Sequence, residues 1–155
     1  MFRITQVLTV ASLIAFSMTP AAAAPELPSG LSGSGVLEER VAVVQVLRDY
    51  LRVTDARDKT AIPLAFHPTA LLSSVTAAGV VRYMTQDEWW DRVSRIPSDT
   101  PPRKSSITLV EVINAAAVAR IDITDARGST SSDLFTLQKT KDGWRIISKV
   151  LSVPL

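Results

Sequence analysis

The C-terminal quarter constrains the fold of this chain most. Ser132-Asp133-Leu134-Phe135-Thr136-Leu137-Gln138-Lys139 alternates in character, Thr140-Lys141-Asp142-Gly143 is a turn, and Trp144-Arg145-Ile146-Ile147-Ser148-Lys149-Val150-Leu151 is largely apolar. The pattern predicts two β-strands joined tightly. By alternation Asp133 shares a face with Phe135 and Leu137. That puts a carboxyl group on the inner side of a sheet, where it needs a partner or a pocket.

The residues upstream supply a cover for that face. Leu37, Val41, Val44, Leu47 and Leu51 recur at helical spacing, and Val43, Val46, Tyr50 and Val53 widen the stripe. The helix starts at Val36, with Glu38 and Glu39 in a first turn that favours acids. Asp58 caps a second, short helix through Phe66, in which Pro63 predicts a kink or 3₁₀ turn and which His67-Pro68 ends. Residues 70–75 and 80–84 form a hairpin around Ala77-Ala78-Gly79. Thr85-Gln86-Asp87-Glu88 is a capping box, opening a third helix with Trp89, Val93 and Ile96 on one stripe. Two further strands follow. In the first, Ile107, Leu109, Glu111 and Ile113 alternate with Thr108, Val110 and Val112. In the second, Ala117, Ala119, Ile121 and Ile123 alternate with Val118, Arg120, Asp122 and Thr124, one face buried and the other meeting water or a partner. The order predicts an α+β fold in which a curved antiparallel sheet wraps three helices.

The N-terminus has a different character. Residues 1–24 read as a secretory signal peptide: Arg3, an apolar run over residues 7–16, Pro20, then small residues at 21–24. The run is too short to span a membrane, which takes roughly 20 residues. Residues 25–35, rich in Pro, Gly and Ser, read as a flexible leader, and 36–155 as the domain. The expected location is secreted or periplasmic, with no membrane attachment after cleavage. The chain has no cysteine, which excludes disulfides, a lipoprotein anchor, thiol catalysis and Cys-based zinc sites. Of 17 Lys and Arg against 15 Asp and Glu, Arg3 leaves with the signal, so 16 − 15 leaves a surplus of one. Those cations are scattered, which argues against a nucleic-acid partner. A single histidine and dispersed acids point to no metal site, and nothing calls for a cofactor.

Several pieces resemble the nuclear-transport-factor-2-like superfamily, a cystatin-like cone, and most nearly its putative lumazine-binding family of small bacterial proteins. They are Tyr50-Leu51 with Asp58, Phe66-His67-Pro68 with Ala70, Met84-Thr85 opening a helix, and above all Asp133-Leu134-x-x-Leu137-x-Lys139 with Gly143-Trp144-x-Ile146-x-x-Lys149. The resemblance covers residues 37–153. It implies a cone with an internal pocket and a homodimer through the outer sheet face. It also sets Tyr50 and Asp133 where a ketosteroid isomerase holds a tyrosine and a neutral aspartic acid.

The candidate ligand-binding residues are Tyr50, His67, Trp89, Asp133 and Phe135, and the catalytic candidates are Tyr50, His67 and Asp133. Each also has a plain structural role open to it: Asp133 pinning a neighbouring element, Tyr50 and Trp89 packing, His67 satisfying backbone carbonyls. Trp90, about 100° from Trp89 on a helix, is expected at the mouth or a dimer contact, Trp144 on the sheet, and Arg120 and Asp122 on the outer surface. The isomerase-type general base falls on Ser74, which cannot abstract a carbon-bound proton. The reading is therefore a binder of a small, largely apolar or heteroaromatic ligand without catalysis. The alternatives are an isomerase- or dehydratase-type enzyme using Tyr50, Asp133 and His67, and an interaction module whose cone is filled by Phe135, Trp89 and Leu109.

Overall fold

The computed structural model describes residues 33–152. The expected signal peptide and the first part of the expected leader lie outside them. Residues 33–35 of that leader belong to helix α1, Gly33–Ala56. The helix thus starts three residues earlier than expected, and Glu38 and Glu39 fall beyond its first turn. Its buried stripe is the widening set, Val43, Val46, Leu47, Tyr50 and Val53, while Leu37 and Val41 stay about 60% exposed. A helix with apolar residues this broadly spread leaves the choice of face to its partner sheet.

Asp58 caps a 3₁₀ turn, Lys59–Leu64, which Pro63 tolerates because only short i→i+3 bonding is needed. Phe66-His67-Pro68 does not end a helix; it opens strand β1, Phe66–Val75. Strand β2, Val81–Met84, returns antiparallel through a turn in which Gly79 takes φ +76°. The Thr85–Glu88 capping box is fully formed and starts α2, Gln86–Val93. Strands β3 (Lys104–Ile113), β4 (Ala116–Thr124), β5 (Thr130–Thr140) and β6 (Gly143–Ser152) complete the chain.

The six strands form one curved, unclosed sheet in the order β2-β1-β6-β5-β4-β3. All neighbours are antiparallel except β1 and β6, which run parallel, because the chain crosses from one to the other through everything between them. Two bulges reset the alternation. On β3, Ile107 pairs with Ile121 but Leu109 with Arg120, so Thr108 is an extra residue. On β6, Ser148 pairs with Thr136 but Ile146 with Leu137, so Ile147 is extra. Each extra residue swaps the faces beyond it. Leu109 therefore points outward and is exposed, against the expectation that it lines the cone, and Val110 and Val112 point in. Among the described residues no helix is long and apolar enough to cross a membrane.

Candidate functional site

The β6 bulge decides the site. Strict alternation from Trp144 and Ile146 would send Lys149 to the outer face. The bulge turns it inward, where its side chain is 3% exposed. Its ammonium lies 2.7 Å from Asp133 Oδ2 and donates to the Tyr50 hydroxyl at 2.6 Å. Tyr50 in turn donates to Asp133 Oδ2 at 3.1 Å. Three elements thus meet: α1 brings Tyr50, β5 brings Asp133 and β6 brings Lys149. The isomerase resemblance sets a neutral acid at Asp133, whereas here a lysine sits against it, as in the plainer reading of Asp133 pinning a neighbouring element.

Aromatic rings enclose the trio. Lys149 Nζ is 4.9 Å from the Tyr50 ring centre, 5.3 Å from Trp89 and 5.9 Å from Phe135. Tyr50 meets Phe135 edge-on at 5.1 Å and Phe66 at 5.8 Å, and stacks on Trp89 at 6.1 Å. Ring quadrupoles and the carboxylate both favour the ammonium. Burial acts against the Lys149 charge, but Tyr50 and Asp133 outweigh it and hold its pKa above 10.5. The Lys149 ammonium thus sits against a carboxylate and three ring faces.

The sequence candidates fall into two groups. Tyr50, Trp89, Asp133 and Phe135 come together, joined by Lys149 and Phe66. His67 does not join them. It is half-buried on β1, and its Nδ1 bonds Thr69 Oγ1 at 2.8 Å. A dehydratase-type pairing of His67 with Asp133 has no support in this geometry. Ser74 lies on the sheet row of Asp133, since both pair with Leu151, so the row holds one carboxylate and no second base. Trp90, expected at the mouth or a dimer contact, is buried and packs edge-on against Trp89. Trp144 is buried on the sheet as expected, and Arg120 and Asp122 pair with each other at 2.7 Å on the outer face.

Arg103 is the residue that no motif signalled. It ends the loop before β3 and bonds Asp55 of α1 through Nε at 2.7 Å. Its Nη2 is buried and has no hydrogen-bond partner among the described residues. Burial opposes its charge, and Tyr50 and Asp55 nearby override that, so its pKa stands above the ordinary value. Only a pattern of long-range contacts could reveal it, because loop arginines are common. Among the described residues no three His, Cys, Asp or Glu side chains gather to hold a metal.

Two clefts open elsewhere. One of about 580 Å³ lies between α1 and β3, lined by Arg40, Val44, Arg48 and Leu51 with the strand. One of about 420 Å³ lies by Arg120, Asp122 and Ser152. Neither is lined by the trio.

The solved structures similar to this chain share its fold. A nuclear-transport-factor-2-like protein of unknown function from Shewanella baltica is 26% identical with a TM-score of 0.69, covering 77% of this chain and 96% of its own. Counterparts from Silicibacter pomeroyi (19% identical, TM-score 0.67, 76% and 98% covered) and Methylobacillus flagellatus (21%, 0.65, 77% and 94%) are likewise of unknown function. No curated protein matches the sequence. The family model described as "Putative lumazine-binding" matches residues 38–152, the stretch that carries α1, the sheet and the buried trio. The chain belongs to that family.

Proposed function

We propose that this is an exported, non-catalytic receptor for a small, largely apolar or heteroaromatic ligand. The observation that carries the reading is the Tyr50–Asp133–Lys149 trio: three polar groups converging among four aromatic rings, the composition of a small-molecule site. The family description and the fold support a small ligand, and heteroaromatic molecules suit the Tyr50 and Trp89 ring faces. Ser74 on the row of Asp133, and His67 engaged with Thr69 rather than with Asp133, argue against proton abstraction.

The remaining proposals concern context. Residues 1–24 are removed on export to the periplasm or medium, which the intact mass of protein recovered there checks. Two copies join through the outer sheet face, where Leu134, Val150, Val118 and Tyr83 are exposed. Light scattering should give the mass of a dimer. One observation favours a second reading, an interaction module with a filled cone: the rings pack on one another around Lys149. Native mass spectrometry of protein taken from its own compartment separates the two. The receptor reading expects a retained small molecule, or stabilisation by pterins, flavins or steroids. A bare protein that none of these stabilises leaves the interaction module.

A further inference from the structure

The larger cleft, of about 580 Å³, has two walls of different kinds. One is a face of α1: Arg40, Val44, Arg48 and Leu51, spaced by four, four and three residues, fall within about 80° of arc. The other is residues 105–110 of β3, six in a row. Successive side chains of a strand point to opposite faces, so a cleft that touches all six runs along the strand's edge. That edge is free, because β3 is the last strand of the sheet and has only β4 beside it. Every second residue there turns its N–H and C=O away from β4, and among the described residues no further backbone bond takes them up. The guanidiniums on the opposite wall are also unmatched. No ion pair among the described residues uses Arg40 or Arg48, whereas nearby Arg52 and Arg103 hold Asp49 and Asp55. Each wall is roughly 16 Å long, at 1.5 Å per helical residue and 3.3 Å per strand residue. Spread over that length, the volume is a channel roughly 6 Å across. That is room for one extended chain and not for a helix, which is about 10 Å wide.

We propose that this cleft docks an extended acidic segment of a partner protein, which adds to the β3 edge as a further strand and sets two carboxylates against Arg40 and Arg48. The spacing specifies the segment. Eight helical residues place the two arginines roughly 12 Å apart, and four strand residues cover roughly 13 Å. Even spacing also keeps both carboxylates on the face turned to α1, with the residue midway between them over Val44. The pattern is therefore acid-x-apolar-x-acid. Backbone bonds to the edge supply affinity for any sequence, and the arginine–carboxylate bonds supply choice. The bulge at Thr108 keeps this edge from templating a long flat ladder, which favours a short segment. A fatty anion fits worse, because its one carboxylate would leave an arginine and the strand edge unmatched. The cleft is separate from the trio, so the proposal neither needs the receptor reading nor supports it.

The test titrates three fluorescein-labelled peptides against the protein by anisotropy. They are Thr-Glu-Thr-Val-Thr-Glu-Thr, its counterpart with Gln for both Glu, and Thr-Glu-Thr-Val-Glu-Thr-Thr, which keeps the composition but sets its acids on opposite faces. The first should bind about fivefold or more tighter than either of the others, and added salt should narrow its lead over the Gln peptide. Arg40→Gln together with Arg48→Gln should bring the Glu and Gln peptides level. Both positions are exposed on α1 and Gln is a comparable helix former, so the doubly substituted chain is expected to fold. Hydrogen exchange of the amides at 105–110 should slow when the first peptide is bound. Equal binding of all three peptides, no binding of the first, or a Glu preference that survives both substitutions would overturn the proposal. Unchanged exchange at 105–110 would remove the added strand. Binding of dodecanoate in place of the first peptide would overturn it in favour of a fatty anion.

Discussion

Helix α1 is tied to the β5–β6 hairpin at two places, and the two ties use the same chemistry in different surroundings. Near its start, Glu39 accepts from Trp144 Nε1 of β6 at 2.6 Å and pairs with Lys139 of β5. Eleven residues on, Tyr50 joins Asp133 of β5 and Lys149 of β6. Each tie takes one acid, one lysine and one aromatic, one residue from each element. At 1.5 Å per residue the two lie roughly 16 Å apart along the helix. The outer tie is partly wet: Lys139 is 46% exposed and Glu39 24%. The inner tie is dry, with Lys149 and Asp133 at 3% and 5%. Water screens the first and leaves it worth little. The second is strongly coupled, because neither charge can be removed without stranding the other. A protein that wanted only to hold its helix would be served by the outer kind. The dry tie costs desolvation and brings polar groups to the interior, which is what a binding site requires.

The largest test of this contrast is Lys149→Ala. It strands Asp133 and should lower unfolding free energy by about 3–5 kcal/mol in urea titrations. Replacing both charges, Asp133→Leu with Lys149→Met, should cost far less than the single change, because the desolvation penalty leaves with them. Additive losses would break the coupling between the two charges. Tyr50→Phe removes one bond to each charge but keeps the ring, and should cost about 2 kcal/mol.

Solvent pH separates the two ties next. Lys149 is held above its ordinary 10.5, so its contribution is complete below that pH and is lost as pH climbs through the raised value. Glu39 is held below 4.5 by hydrogen bonds from Lys139 and Trp144. Its contribution is present above 4.5 and fades as pH falls through the lowered value. Thermal midpoints against pH should lose part of the alkaline fall in the Asp133→Leu/Lys149→Met protein and part of the acid fall in Glu39→Gln. The smallest effect is the salt dependence of the outer tie. Added salt should narrow the gap between Glu39→Gln and the unsubstituted protein, and leave the Lys149→Ala deficit nearly unchanged.

How much of this is legible in the sequence turns on two extra residues. Strand β5 has no bulge between Asp133 and Leu137, so simple alternation places Asp133, Phe135 and Leu137 inward, and they are inward. On β6 the same arithmetic fails at Ile147. Lys149 is visible in the family motif, yet its inward aim and its pairing with Asp133 are not. Thr108 misleads in the same way for Leu109 on β3. A bulge is a property of two strands together, and one strand's letters do not announce it. Helix α1 fails more gently. Its apolar residues cover so wide an arc that Val41 and Val43 look equally fit for the core, and only the sheet selects Val43. Arg103 needs the closed fold, because its partner Asp55 lies 48 residues away.

If the dry tie is a ligand site as well as a fastening, removing its charges must empty the protein of its ligand. Native mass spectrometry tests this most directly, on protein taken from its own compartment and on its Asp133→Leu/Lys149→Met counterpart, which is expected to fold. The predicted result is a small molecule retained by the first and missing from the second. The same molecule carried by both, or by neither, would contradict it.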